Sequence, residues 1–149
     1  MRALIQRVSE GGVYIPDINF KSEIGPGMVI LVGIKTSDTQ NDVNFVADKC
    51  SNLRIFEDND GKMNVGVKES GGEVLVISQF TLYGETSKGN RPGFIDAARP
   101  ETAIPLYEKF ISRMKLNLGE NKIKSGKFGE MMTVKIINEG PVTVLVESK

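Results

Sequence analysis

The feature that most constrains the fold of this chain is a pair of short, unbroken apolar runs. One is MVILVGI at Met28–Ile34, and the other opens the segment EVLVISQFTLYG, which predicts the strongest strand of the chain over Glu73–Gly84. Runs of this length, bounded by turns such as the IGPG that precedes the first, are typical of buried strands. Shorter strand-like segments stand near the two termini, as ALIQRV, MTVKIIN and VTVLVE. The sequence therefore predicts that a sheet forms the centre of the molecule.

In two segments the apolar residues recur at the spacing of an amphipathic helix. The first extends from Thr39 to Leu53, with Ser37 or Asp38 as N-cap candidates, and the second covers about Glu101–Leu118. Within the second, Pro105 fits only the first helical turn. The apolar stripes are Val43, Val46, Ala47, Cys50 and Leu53 in the first and Ile104, Tyr107, Phe110, Ile111 and Met114 in the second. Strands outnumber helices, and the helices fall between groups of strands. We expect an α+β fold, one domain over residues 1–149, with a curved or barrel-like sheet and two amphipathic helices.

Cysteine usage and hydropathy indicate a cytoplasmic protein. The single cysteine, Cys50, excludes an internal disulfide framework and lies on the apolar stripe of the first helix, which favours a buried small hydrophobe over a reactive thiol. No apolar run reaches the ~20 residues that cross a bilayer, so no membrane association is expected. The opening MRALIQRVSE interrupts its apolar residues with charges and is not a signal peptide.

The chain contains no histidine, and this absence excludes several kinds of chemistry. Ser-His and Cys-His catalysis need an imidazole, and zinc sites usually need imidazole or several thiolates. A hydrolase of this composition would move protons with a carboxylate, lysine, tyrosine, water or the substrate itself, and backbone amides would stabilise a developing oxyanion. Glu57–Asn64 lacks the ligand spacing of a calcium loop, and Ser125–Phe128 lacks that of a phosphate loop. No cofactor is expected, although the composition leaves an oxygen-ligand Mg²⁺ site open.

Charge gives a weaker indication about partners. The formal net charge is zero, which argues against a broad nucleic-acid-binding surface. Between Lys109 and Lys127, however, six basic residues oppose one acid, Glu120. This stretch is either a solvated helix face and loop or a contact for a phosphate backbone.

A glycine-proline pair, Gly140-Pro141, stands near the start of a strand-like stretch, INEGPVTVLVES. Proline donates no hydrogen bond to a β ladder, and glycine weakens the interior of a strand. The pair therefore predicts an edge, a bulge or a turn, with a rigid backbone corner that has little side chain.

Five segments in order carry a resemblance that runs nearly the whole length of the chain. They are RIFEDNDGKMN, SQFTLYG, RPGF, GKFGEMM and NEGPVT. Together they resemble the D-aminoacyl-tRNA deacylases. The resemblance implies a homodimer of β-barrel-like subunits that hydrolyses the ester between a D-amino acid, or glycine, and the 3′-terminal adenosine of tRNA. Such an enzyme keeps D-residues out of translation.

The resemblance also assigns roles to individual residues. The family's active-site strand, which binds the aminoacyl group and the adenosine, is matched by Ser78, Gln79, Phe80 and Thr81. In the family the Gly-Pro bond is cis and enters the neighbouring subunit's active site, where its carbonyls occupy the space that an L-side chain would need. The residues that match this corner and the lesser positions lining the site are Arg7, Asn138, Gly140, Pro141, Phe94, Ala98 and Met132.

Several alternatives remain open at this point. Phe80 could be simple core, Arg7 an exposed strand charge, and Thr81 a nucleophile, although we favour the ribose 2′-hydroxyl of the substrate because no base is evident. Two residues depart from the family pattern: Glu139 where Asp is usual, and Glu130 where a small residue is usual. Two other function classes compete, namely a non-catalytic module that binds the tRNA end or a small ligand, and a Thr81-dependent esterase.

Overall fold

The computed structural model describes residues Met1–Lys149 and contains eight strands and two α-helices. The strands are β1 (Arg2–Ile15), β2 (Phe20–Ile24), β3 (Gly27–Gly33), β4 (Phe56–Glu57), β5 (Met63–Val65), β6 (Glu73–Ser78), β7 (Ile123–Ser125) and β8 (Thr133–Glu147). The helices are α1 (Gln40–Asn52) and α2 (Pro100–Leu118). Neither helix is both long and apolar enough to cross a bilayer. The predicted α+β class with two amphipathic helices is confirmed.

One mixed sheet organises the molecule. Its order is β2-β1-β3-β6-β7, with β8 pairing along the other side of β1, while β4 and β5 form a separate small hairpin. The sheet curls until its far strands meet: Lys124 of β7 donates to the carbonyl of Glu23 in β2 at 2.6 Å, and Glu73 of β6 accepts from the amide of Gly25 at 3.0 Å. The result is a curved, nearly closed, barrel-like sheet, as predicted.

The sheet has a hydrophobic core on each face. The larger core packs Met28, Ile30 and Val32 of β3 against the two helices. The smaller core contains alternate residues of the same strands, such as Val29, and includes no helical residue. Because strand side chains alternate between faces, the smaller core is enclosed by the curvature of the sheet itself.

The helix predictions are confirmed in outline and corrected in detail. Both predicted stripes are buried for the most part, but Ile104 is 37% exposed, and Ala103 and Leu106 are buried instead. Pro105 lies in the second turn of α2 rather than the first, because it is the sixth residue of a helix that begins at Pro100. The α1 N-cap is Thr39, rather than either predicted candidate.

Two strand predictions also need correction. The strand predicted to reach Gly84 ends at Ser78, and the chain then forms a 3₁₀ turn over Phe80–Tyr83. The two predicted C-terminal strands are one strand, β8, interrupted by a wide bulge. In the ladder between β1 and β8, Gln6 pairs with Thr143 and Val8 pairs with Asn138, so four β8 residues face the single residue between Gln6 and Val8. Of the three possibilities for the Gly-Pro pair, the structure has the bulge.

Candidate functional site

The segment Ser78–Thr81 lies where β6 leaves the sheet. The amide of Gln79 donates to the carbonyl of Val32 at 2.7 Å, which is the last bond between this segment and β3. Beneath it, the hydroxyl of Tyr107 donates to the carbonyl of Val76 at 2.9 Å. Burial raises the pKa of Tyr107, so its hydroxyl stays protonated and holds the end of the strand. The packed strand and the helix beneath it therefore fix the position of the turn.

A largely apolar pocket of about 380 Å³ opens beside this turn. It is lined by Val32, Ile34, Ile77, Ser78, Gln79, Phe80, Ala98, Ala103, Phe128, Gly129, Glu130, Met131, Met132 and Val134. Phe94 lies outside the lining but supports it, because its ring contacts the Phe80 ring edge-on with centroids 5.0 Å apart. An apolar pocket with a few polar groups at one wall is the usual form of a small-ligand site.

Phe80 and Thr81 are both exposed at this turn. The Phe80 side chain is 56% exposed, so the interpretation of Phe80 as simple core is wrong. The Gln79 amide nitrogen donates to the Thr81 hydroxyl oxygen. Because the chain contains no histidine, no imidazole is available to activate this hydroxyl. The amides of Phe80 and Thr81 precede the first internal hydrogen bond of the 3₁₀ turn, so they are available as donors.

Arg7 and the Gly-Pro bulge, which we define as Glu139–Val142, form a second cluster. The guanidinium of Arg7 donates to the carbonyl of Glu139 at 3.0 Å and to that of Ile55 at 2.8 Å, and it lies 3.7 Å from the carboxylate of Glu57. Arg7 is only 6% exposed, so the alternative of an exposed strand charge is wrong. A buried charge of this kind is stable only when it is hydrogen-bonded. The Arg7 side chain meets this need by connecting the bulge to Ile55, the residue that precedes β4.

Asn138 closes the bulge from the other side. Its side-chain oxygen accepts from the amide of Val142 at 2.8 Å, and its side-chain nitrogen donates to the hydroxyl of Thr143 at 3.0 Å. The side chain of Asn138 thus takes the place of the ladder partner that the bulged residues lose. The two ends of the bulge are therefore held together at its base.

The Gly140-Pro141 peptide bond is cis, as the family resemblance implies. Gly140 has φ +136°, a conformation that residues with side chains rarely adopt. A Cβ at this position would lie 2.8 Å from Cγ2 of Val142 and 3.1 Å from Nη2 of Arg7. Only glycine fits here, and both Gly140 and Pro141 are exposed to solvent.

Within one chain, the predicted site residues fall into two groups. The pocket group comprises Ser78, Gln79, Phe80, Thr81, Phe94, Ala98 and Met132, and the bulge group comprises Arg7, Asn138, Gly140 and Pro141. No member of the bulge group lines the pocket. The chain therefore presents the bulge on a separate, exposed surface.

The prediction missed several residues of these clusters. Tyr107 appeared only as a member of an apolar stripe, and its hydroxyl was the one signal of a further role. Phe128 stands in the GKFGEMM segment and lines the pocket. Glu130, a departure from the family pattern that could enter the adenosine pocket or point outward, is the one charged residue of the lining. No sequence signal pointed to Ile55, because it contributes only its carbonyl. No group of three or more histidine, cysteine, aspartate or glutamate side chains is placed to hold a metal ion.

A family profile and the curated relatives similar to this chain carry a deacylase name, whereas two similar solved structures differ in name from each other. A family profile described as D-Tyr-tRNA(Tyr) deacylase matches residues 4–147. A D-aminoacyl-tRNA deacylase of Akkermansia muciniphila is 52% identical over 100% of this chain and 98% of its own length. One of Shouchella clausii is 53% identical over the full length of both chains. Among solved structures, a c-Myc DNA unwinding element binding protein superposes with a TM-score of 0.93 at 39% identity, covering 100% of this chain and 99% of its own. A probable eukaryotic D-amino acid tRNA deacylase gives 0.84 at 16% identity, covering 99% and 98%, and shares the fold.

Proposed function

The chain belongs to the D-aminoacyl-tRNA deacylase family and is an ester hydrolase, and from this premise we propose that it frees tRNA of D-amino acids and glycine in the cytoplasm. Residues 1–149 act as one deacylase domain. The ester lies in the apolar pocket, with the terminal adenosine and the aminoacyl group against Ser78, Gln79 and Phe80. The observation that carries this proposal is that Ser78, Gln79 and Phe80 line that pocket, with the Thr81 hydroxyl hydrogen-bonded to the side chain of Gln79.

Backbone amides and the substrate supply the chemistry. Water attacks the ester carbonyl, and the amides of Phe80 and Thr81 stabilise the oxyanion that forms. The C–O bond to the ribose then breaks, the ribose oxygen takes a proton, and the free amino acid and tRNA leave. The neighbouring ribose 2′-hydroxyl assists the proton transfer. Support for this role comes from Thr81, whose hydroxyl oxygen accepts from the side-chain amide of Gln79, and from the absence of an imidazole base in the chain.

The Gly-Pro bulge checks chirality from a second subunit. We place the bulge of one subunit of a homodimer over the pocket of the other, where its backbone carbonyls fill the space of an L-side chain. The separation of bulge and pocket within one chain supports this arrangement, as does the exposure of Gly140 and Pro141. Two large apolar side chains of β8, Ile137 and Leu145, are 43% and 49% exposed and supply surface that a partner would cover. Glycine has no side chain to exclude, so glycyl-tRNA is also hydrolysed.

Deacylation of matched D- and L-tyrosyl-tRNA tests the proposal. At substoichiometric protein, we expect rapid release of D-tyrosine while the L-ester is spared. Equal hydrolysis of both esters would contradict the chiral filter and leave a plain esterase. Tight tRNA binding without hydrolysis would instead identify a binding module.

A further inference from the structure

Most basic residues of the Lys109–Lys127 stretch already have partners within the chain. Arg113 forms a two-bond ion pair with Asp48, at 2.8 Å each, and Lys115 pairs with Glu120 at 2.5 Å. Lys122 donates to the carbonyl of Gly71. Lys124 donates to the carbonyl of Glu23 and forms an ion pair with Glu73. The ammonium group of Lys127 lies over the ring of Phe20. Of the six, only Lys109 makes no such contact. This stretch is therefore a poor candidate for holding a phosphate backbone.

A different segment carries unpaired cations beside the pocket. The pocket-wall loop, Gly84–Arg99, contains Lys88, Arg91 and Arg99, all exposed and none within hydrogen-bonding or ion-pair distance of an acceptor. Glu85, the acid nearest to Lys88 in sequence, is engaged by the amide of Ser87 at 2.6 Å, and Asp96 and Glu101, the acids nearest to Arg99, form no ion pair with these cations. Three guanidinium or ammonium groups therefore remain available to an external anion.

The loop is held firmly against the pocket. Glu85 and Gly93 exchange backbone hydrogen bonds of 2.8 and 2.9 Å, which close the outer part of the loop. At its far end, the amide of Ala98 donates to the carbonyl of Ile34 at 2.9 Å, and both of these residues line the pocket. The ring of Phe94 packs on Phe80. The cations consequently have a defined position relative to the place where the ester would lie.

We propose that Lys88, Arg91 and Arg99 bind the phosphates of the single-stranded 3′ end of tRNA and so position the terminal ester in the pocket. This inference rests on the proposed function. Each nucleotide that precedes the terminal adenosine brings one phosphate, and a strand entering the pocket must pass its wall. Arginine and lysine are the side chains suited to such contacts, which carry position rather than sequence.

The experiment compares two triple variants on two substrates. The loop variant is Lys88→Gln, Arg91→Gln and Arg99→Gln. The control variant is Arg54→Gln, Lys68→Gln and Lys109→Gln, which removes the same charge at exposed, unpaired cations that do not line the pocket. The substrates are D-tyrosyl-tRNA and 3′-O-D-tyrosyl-adenosine, which carries the ester but no phosphate.

We expect the loop variant to lose at least about tenfold in kcat/KM on D-tyrosyl-tRNA at low salt, while its rate on D-tyrosyl-adenosine stays at the wild-type value. The slope of log kcat/KM against log salt should fall by about 2, since each single-strand phosphate contact contributes about 0.7. The control variant should keep the wild-type slope.

Three outcomes would overturn the inference. Equal losses in the loop and control variants would show a general effect of net charge. A parallel loss on D-tyrosyl-adenosine would show that the loop only shapes the pocket. An unchanged loop variant, with the wild-type enzyme active on both substrates, would reject the phosphate contacts while leaving the proposed function intact. Wild-type protein inactive on both substrates would reject the function as well.

Discussion

At the scale of single residues, the hydrogen bond between Gln79 and Thr81 bears most directly on mechanism. Thr81, which adjoins the polar wall through this bond, is the residue whose hydroxyl a nucleophilic mechanism would use. Its oxygen accepts from the Gln79 side chain, so the Thr81 proton points away from that bond, and the chain has no imidazole to receive it. The side chain is placed to orient Gln79 rather than to attack an ester.

Thr81→Ala should therefore retain most of the deacylase activity. We expect kcat on D-tyrosyl-tRNA to stay within about tenfold of wild type, because the amides of Phe80 and Thr81 remain in place. Removal of a true nucleophile costs on the order of 10⁴-fold or more. Single-turnover deacylation with Thr81→Ser as control distinguishes the two, and a loss of that size with substrate binding intact would establish the nucleophile mechanism.

Gly140 shows a second constraint at the residue scale. Its positive φ and the nearness of Val142 and Arg7 leave no room for a Cβ. Gly140→Ala should lower the free energy of unfolding by about 1–3 kcal/mol and displace the bulge, because the strained backbone relaxes. Hydrolysis of L-tyrosyl-tRNA should then rise relative to the D-ester.

A second glycine with positive φ serves as a control that separates the effect of backbone strain on stability from the effect of the bulge on chiral selectivity. Gly71 has φ +73° but no atom within 4 Å of an added Cβ, and it lies in an exposed turn. Gly71→Ala should destabilise the fold by a similar backbone penalty while the ratio of D- to L-hydrolysis stays that of the wild type. A Gly140→Ala protein that is destabilised but fully selective would argue against the role of the bulge.

At the scale of elements, the start of α1 shows how one acidic side chain fixes a helix end. The carboxylate of Asp42 accepts from the backbone amide of Thr39 at 2.8 Å and from its hydroxyl at 2.7 Å. These hydrogen bonds, that of the Thr39 hydroxyl foremost, lower the pKa of Asp42 from 3.8 to about 2. Asp42 reaches back to a threonine three residues earlier, as in a capping box, and this explains why the helix begins later than the sequence suggested.

Asp42→Asn should reduce stability in a pH-dependent way. Because the folded-state pKa lies below the unfolded value, the stabilisation is complete above about pH 4 and is lost as the pH falls towards about 2. We expect a loss of about 1 kcal/mol at pH 7, which shrinks towards zero near pH 2. Urea unfolding across this range measures it, with Asp60→Asn as the control of equal charge. A deficit that persists undiminished at pH 2 would contradict this role.

The buried face of an element was predictable where the pattern is local. The apolar stripe of α1 at Val43, Val46, Ala47 and Cys50 is buried as predicted, since a helix determines its own periodicity. The end of β6 was not predictable, because the apolar residues of Phe80–Tyr83 continue the pattern of the strand while the chain has already left the sheet. Burial of Tyr83 against other elements, rather than strand alternation, accounts for that apolar residue.

At the scale of the whole molecule, the pocket and the bulge lie apart within one chain, so we predict that chirality is checked only in a dimer. The protein should therefore sediment at twice its chain mass of 16.3 kDa. Mixed dimers test the crossed arrangement. One chain carries Ala98→Trp, which fills the pocket but leaves the bulge intact, and the other carries Gly140→Ala, which alters the bulge but leaves the pocket open.

In a mixed dimer, the open pocket should face the intact bulge of the other chain. Homodimers of the Ala98→Trp chain should be inactive, and homodimers of the Gly140→Ala chain should be poorly selective. Co-refolding of the Gly140→Ala chain with excess Ala98→Trp chain should restore rejection of L-tyrosyl-tRNA. Selectivity that stays as poor as in the Gly140→Ala homodimer would mean that each bulge serves its own pocket.

The sequence by itself determined the local features: two amphipathic helices, the main strands, the Ser78–Thr81 segment and a bulge or turn at Gly140-Pro141. Periodicity reports which face of a segment is apolar, but not which distant segment covers it. Only the tertiary structure decided that Arg7 is buried, because its partner Ile55 lies 48 residues away and offers a backbone carbonyl that every residue has. Likewise, the cations of Lys109–Lys127 look free in sequence, and only long-range contacts such as Arg113 with Asp48 show that they are paired. Long-range pairing therefore determined which charges remain available to a substrate.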